Sequence, residues 1–151
     1  MTERELLSMN PPGWGNAREY FALLCRRLAG RGRLLARFEN TLREWISLNF
    51  DRAGGLLEGT SRNWPPLAHS TLASRRAAGL GTRPLRATGR LRRGITFRRT
   101  PQRLVLDNPV AYAAPHQLGR GVPQRAFFPG AKQAERLLHP VAENFIRESL
   151  R

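Results

Sequence analysis

Arginine sets the chemistry open to this chain. Of its 26 basic residues 25 are Arg and only Lys132 is Lys, against 11 acids, for a formal net charge of +15 over 151 residues. The charge is uneven: residues 62–134 hold thirteen Arg and one Lys against the single acid Asp107, a net of +13. A guanidinium presents a planar fork of donors that fits carboxylate and phosphate alike. Such a segment therefore either neutralises a polyanion, with affinity that falls steeply with salt, or docks on an acidic protein surface. Catalytic chemistry is poorly supplied. Glycoside hydrolysis and metal-dependent nuclease action need convergent carboxylates, whereas the acids here cluster towards the two ends and leave the centre almost empty. His116 has no Ser or Cys nucleophile with an orienting partner beside it, and reads as a structural hydrogen-bonding group. His69, His116 and His139 are scattered without Cys or clustered carboxylates, so no metal is expected. Gly13-Trp14-Gly15 and Gly79-Leu80-Gly81 do not continue as phosphate-binding loops. The expectation is a protein that is not an enzyme, with no cofactor, metal or small-molecule substrate.

The elements that would position these arginines can be read from spacing. Asn16 and Glu19 stand at capping-box distance ahead of a helix carrying Tyr20, Phe21, Leu23, Leu24 and Leu28, which ends at Gly30-Arg31-Gly32. A longer helix over about 34–50 follows, with Leu34, Leu35, Phe38, Leu42, Trp45, Ile46 and Asn49/Phe50 on one stripe at three- and four-residue intervals. The Gly-containing stretch from Asp51 to Asn63 reads as a loop, and residues 70–78 as a short basic helix. Alternation of Ile95 and Phe97 with Thr96 and Arg98, then the run Leu104-Val105-Leu106, predicts two strands joined around Thr100-Pro101-Gln102. Arg92, Arg93, Arg98, Arg99 and Arg103 would make that hairpin a basic ribbon. Residues 111–117 read as a short helix, 119–124 as a loop and 125–128 as a short returning strand. From Ala131 an amphipathic pattern predicts a helix that Pro140 must kink or split, its apolar face docked on the sheet.

These elements amount to an α+β fold: N-terminal helices, a small mainly antiparallel β-sheet, and a C-terminal helix packed on the sheet. Residues 1–32 read as an N-terminal helical extension and 33–151 as a single α+β domain, one real core being what this length supports. Cys25 is alone, so no internal disulfide forms, which fits a reducing compartment. No run of 18 apolar residues is present to span a membrane, and the charged start Met1-Thr2-Glu3-Arg4-Glu5 does not read as a signal peptide.

An ordered series of residues carries more than any one of these motifs. Phe50 and Asp51 precede the Gly-containing loop. Trp64-Pro65-Pro66-Leu67, Thr71 and Arg75 come next, then Leu85, Thr88-Gly89 and Leu91. Tyr112-Ala113, His116-Gln117 and Gly119 follow, and last Pro123, Arg125, Phe127-Phe128 and Gly130. In this order the chain resembles the phage virion morphogenesis family, which includes Mu-like morphogenesis and tail-completion proteins, over about two-thirds of its length. It departs from the family's pattern at Arg92-Arg93-Gly94, where a small polar residue usually opens a strand. The resemblance implies a structural virion protein at the head–tail junction, assembled in the host cytoplasm, which completes the tail and joins it to the DNA-filled head. Its implied partners are copies of itself in a homomeric ring and other neck, connector, tail-tube or terminator proteins, with genomic double-stranded DNA in the lumen and no membrane. In that setting Arg92, Arg93, Arg98, Arg99, Arg103, Arg120 and Arg125 would face either acidic neighbours or DNA. Trp64, Leu67, Thr88, Gly89, Tyr112, His116, Gly119, Phe127 and Phe128 would be structural anchors. The loops at residues 54–62 and 120–124 are candidates for contacts to neighbours. The alternatives from other classes are a non-specific DNA-binding protein using the Arg-rich hairpin and a capsid assembly factor.

Overall fold

The computed structural model describes residues 30–56 and 63–149. In chain order these form α1 (Arg31–Asp51), α2 (His69–Ala77), the single turn α3 (Arg90–Arg93), β1 (Thr96–Arg99), β2 (Leu104–Asp107), α4 (Ala113–Leu118) and α5 (Ala131–Ser149). The expected helix over residues 16–30 lies outside the described residues. The fold is α+β, as the periodicity predicts, and the sheet is one antiparallel hairpin with Phe97 opposite Leu106. Thr100 closes the hairpin: its N–H donates to the Arg103 carbonyl, and its Oγ1 accepts the N–H groups of Gln102 and Arg103.

The α1 stripe organises the core. Leu42, Trp45, Ile46, Asn49 and Phe50 are buried along it. Trp45, Ile46 and Phe50 join Trp64, Leu85, Leu91, Ala113 and Phe127 in one cluster, on which Phe97 and Leu106 of the hairpin pack from the side. Full burial of an aromatic or aliphatic side chain is worth about 1.5–3 kcal/mol over leaving it exposed, so the C-terminal half of α1 carries much of the fold. Ring geometry adds to area there: Trp64 stands edge-on to Phe50 at 5.4 Å and Phe127 is tilted on it at 5.9 Å. After α1 the chain turns back sharply through Gly54 at φ +96°. A Cβ there would lie 2.7 Å from the Trp64 amide nitrogen, so only glycine lets the two backbone segments close as the Gly54–Asn63 bridge.

Four expectations need correction. First, α5 is not split at Pro140: of the kink or split expected of that proline, the split does not occur, and one helix runs from Ala131 to Ser149. Second, α5 packs mainly on α1 rather than on the sheet. The Arg37 guanidinium lies 5.4 Å above the Phe145 ring and pairs with Glu148 at 2.6 Å, fixing that crossing. Third, Arg92-Arg93 does not begin a strand. Residues 90–93 wind into α3 after Gly89, whose φ of +74° starts the turn, and β1 begins only at Thr96. Fourth, residues 125–128 are not a strand, because side chains and the His116 carbonyl, rather than a neighbouring strand, satisfy their backbone, as follows.

Candidate docking surface

The Ala126 carbonyl accepts two buried donors, Asn49 Nδ2 at 3.2 Å and Trp64 Nε1 at 3.0 Å. The Arg125 N–H donates to the His116 carbonyl at 2.8 Å, and Gln117 serves the next pair: its Oε1 accepts the N–H of both Phe127 and Phe128 at 3.0 Å, and its Nε2 donates to the Phe128 carbonyl. An unpaired buried peptide group costs about 1–3 kcal/mol, so one glutamine, the His116 carbonyl and the α1 and Trp64 donors replace a strand ladder. Asn49, which the helical pattern places on an apolar stripe, is fully buried for this reason. Of the expected anchors, Trp64 and Phe127 are core, while Leu67 and Phe128 are half-buried. Gly119 caps α4 at φ +72°. Tyr112 is a correction: it is 41% exposed and contributes little to the core.

Of the five arginines expected to form a strip, Arg92, Arg93, Arg98, Arg99 and Arg103, the first four go to separate partners, and Arg120 and Arg125, the other two interface candidates, differ in exposure. Arg92 folds inward, its Nη1 donating to Asp51 Oδ1 at 2.8 Å and its Nη2 to Ser47 Oγ at 2.6 Å. On the hairpin Arg99 reaches Glu39 at 3.4 Å and Arg98 reaches Asp107 at 3.7 Å. Arg93 donates to the Thr88 carbonyl at 2.9 Å. Arg103 and Arg120 are exposed, and neither has a side-chain ion pair among the described residues. Arg125 is only 5% exposed; its Nε and Nη2 donate to the carbonyls of Pro65 and Pro66. The loop at residues 120–124 is largely exposed, with Val122 half-buried, whereas 57–62 of the other candidate loop lie outside the described residues.

What the structure does bring together is the ordered series itself. Leu67, Arg75, Leu85, Thr88, Gly89, Tyr112, His116 and Arg125, eight positions quoted from that series, line one cleft of about 320 Å³ with Ala87 and Arg90. Arg75 holds its floor in shape, its Nη1 donating to the carbonyls of Gly81 and Arg83 at 3.1 Å. Leu85 is buried in the wall at φ +58°, a left-handed conformation unusual for a non-glycine residue and costing about 1–3 kcal/mol. Burial, and after it the charge of Arg125, hold His116 below the ordinary imidazole range against the opposing effect of the Pro123 carbonyl, with the Arg75 charge the least of the four influences. Its Nδ1 is buried without a hydrogen bond. Burial and the neighbouring Arg75 likewise lower the pKa of Arg125. Sequence reasoning missed the roles of Arg75, Arg90 and Gln117, although two of the three stood in the series; only the fold shows that these separated positions share a wall.

Among the described residues no group of three His, Cys, Asp or Glu side chains could hold a metal ion, and no helix is long and apolar enough to cross a membrane. The described residues thus form a small α+β body with a cationic surface and a cleft walled by Arg, Tyr and Leu. The model of the phage virion morphogenesis family matches residues 14–142, and the chain belongs to that family. Its role is thus in phage virion morphogenesis, among other virion proteins. Comparison with curated proteins and with solved structures gave no match.

Proposed function

We propose that this chain is a non-catalytic neck or tail-completion subunit, which acts at the head–tail junction as a homomeric ring and joins a completed tail to a DNA-filled head. Family membership over residues 14–142 carries the reading. The surface chemistry supports a docking part: Arg103 and Arg120 stand exposed without ion pairs among the described residues, and exposed guanidinium forks fit carboxylates on a neighbouring subunit. A lumen for DNA has to be only weakly adhesive, since strong phosphate binding would hinder exit. Protein contacts therefore take most of the arginine, and a minority faces DNA.

Electron microscopy of a lysate from phage lacking this gene tests the assignment. The expected result is DNA-filled heads beside separate tails. Empty or aberrant heads would move the chain to capsid assembly, and normal infectious particles would overturn the virion reading in favour of the DNA-binding one.

A further inference from the structure

The cleft bounded by Arg75, Arg90, Arg125, His116 and Tyr112 holds three cations and, among the described residues, no anion. None of the three arginines has a carboxylate partner there. For Arg90 this is ordinary, because its side chain is exposed. For Arg125 it is not: the residue is buried, and the hydrogen bonds of its guanidinium go only to two carbonyl dipoles, those of Pro65 and Pro66. Taking a cation out of water costs several kcal/mol unless an opposite charge compensates it. Elsewhere the molecule does supply that charge, with Asp51 on Arg92, Glu39 on Arg43 and Arg99, and Asp107 on Arg98. Exposed arginines such as Arg103 and Arg120 also lack a carboxylate, but water solvates them; Arg125 is the arginine that is both buried and, among the described residues, without one.

We infer that this cleft receives a carboxylate from an acidic segment of a different virion protein, whose side chain or chain terminus enters between Arg90 and Arg125. The inference rests on the docking role proposed above and names the chemistry of one partner. Three observations select the occupant. The walls are partly apolar, with Leu67 and Leu85 beside Tyr112, and a volume of about 320 Å³ suits one or two side chains. A duplex backbone presents its phosphates on a broad cylinder and reaches a buried arginine inside a cleft poorly, whereas a slender protein side chain or a free terminus enters it. A second copy of this chain is a poor source of acid, since each copy has 26 cations for 11 acids and every closed ring would leave the excess unmatched.

The test uses the full-length chain and titrates it with a short peptide, acetyl-Leu-Glu-Asp-Leu with a free C-terminus. Its comparison is the isosteric acetyl-Leu-Gln-Asn-Leu amide, and a 20-base-pair duplex is the rival probe. Arg90→Glu reverses a charge that lines the cleft and breaks no side-chain hydrogen bond or ion pair seen among the described residues, and Arg103→Glu makes the same change in net charge at an exposed residue that does not line the cleft. The carboxylate peptide is expected to bind at least tenfold more tightly than its amide counterpart. Arg90→Glu should weaken it at least tenfold and Arg103→Glu less than twofold, with circular dichroism reporting an intact fold in both. Equal binding of the two peptides, no binding of either, or equal weakening by the two substitutions would overturn the inference. So would Arg90→Glu weakening the duplex while the peptide stays unbound, which would assign the cleft to nucleic acid. These readings come from purified protein, so they can fail while microscopy of the gene-deficient lysate still places the chain at the junction, and the reverse.

Discussion

Gln117 does the most with the fewest atoms. Its amide takes both roles a strand neighbour would take, accepting from two consecutive N–H groups and donating to one carbonyl. Gln117→Ala leaves these half-buried peptide groups without partners and should cost about 2–4 kcal/mol. Gln117→Glu keeps both acceptor contacts but turns a carboxylate oxygen on the Phe128 carbonyl, so it should recover only part of that loss. Urea unfolding midpoints measure the two; equal losses, or a loss under about 0.5 kcal/mol for the alanine variant, would refute this account. Gln117 was visible in the sequence only as a neighbour of His116, because no periodicity marks a side chain that substitutes for a strand. Phe127 and Trp64 were legible as core from apolar bulk alone. Tyr112 was misread by the same logic, since a phenol serves as well on a cleft wall as inside a core.

At the scale of elements, α1 ends on an acid where its dipole is negative, an unfavourable placement on its own. The segment 83–92 corrects it. Arg92 and Arg86 reach the Asp51 carboxylate at 2.8 and 3.5 Å, and Arg83 reaches its backbone carbonyl. These contacts, with the Arg92 hydrogen bond first among them, hold the Asp51 carboxyl below its usual range. A lowered folded-state pKa gives stability that is complete above the unfolded value near about 4 and is lost as pH falls through the folded value. Wild-type stability should therefore drop more steeply below about pH 4 than that of Asp51→Asn. At neutral pH the variant should show faster hydrogen exchange within residues 83–93. Parallel pH profiles would show that Asp51 does not tie this segment down. The helix stripe, the hairpin and α4 were all legible from spacing. The docking of α5 on α1 and the winding of Arg90–Arg93 were not, because both depend on partners far away in sequence: Phe145 and Glu148 for the first, Ser47 and Asp51 for the second.

Over the whole molecule, a count of 26 cations overstates what a polyanion would meet. Arg92, Arg98 and Arg99 are committed to the chain's own acids and Arg125 is buried. If the chain is a docking subunit, binding of the isolated protein to duplex DNA should be weak, with a slope of log affinity against log salt equivalent to fewer than about four phosphate contacts. A slope equivalent to about six to ten contacts would favour a DNA-binding protein instead. One further consequence follows from the hairpin. A sheet of only two strands is all edge: each four-residue strand turns one row of peptide groups to its partner and the other row outward. Open rows of this kind template strand-to-strand aggregation unless the strands are short or charged. Arg98 and Arg99 on β1 and Arg103 just before β2 place charge along that edge, the kind of residue that disfavours such pairing between copies.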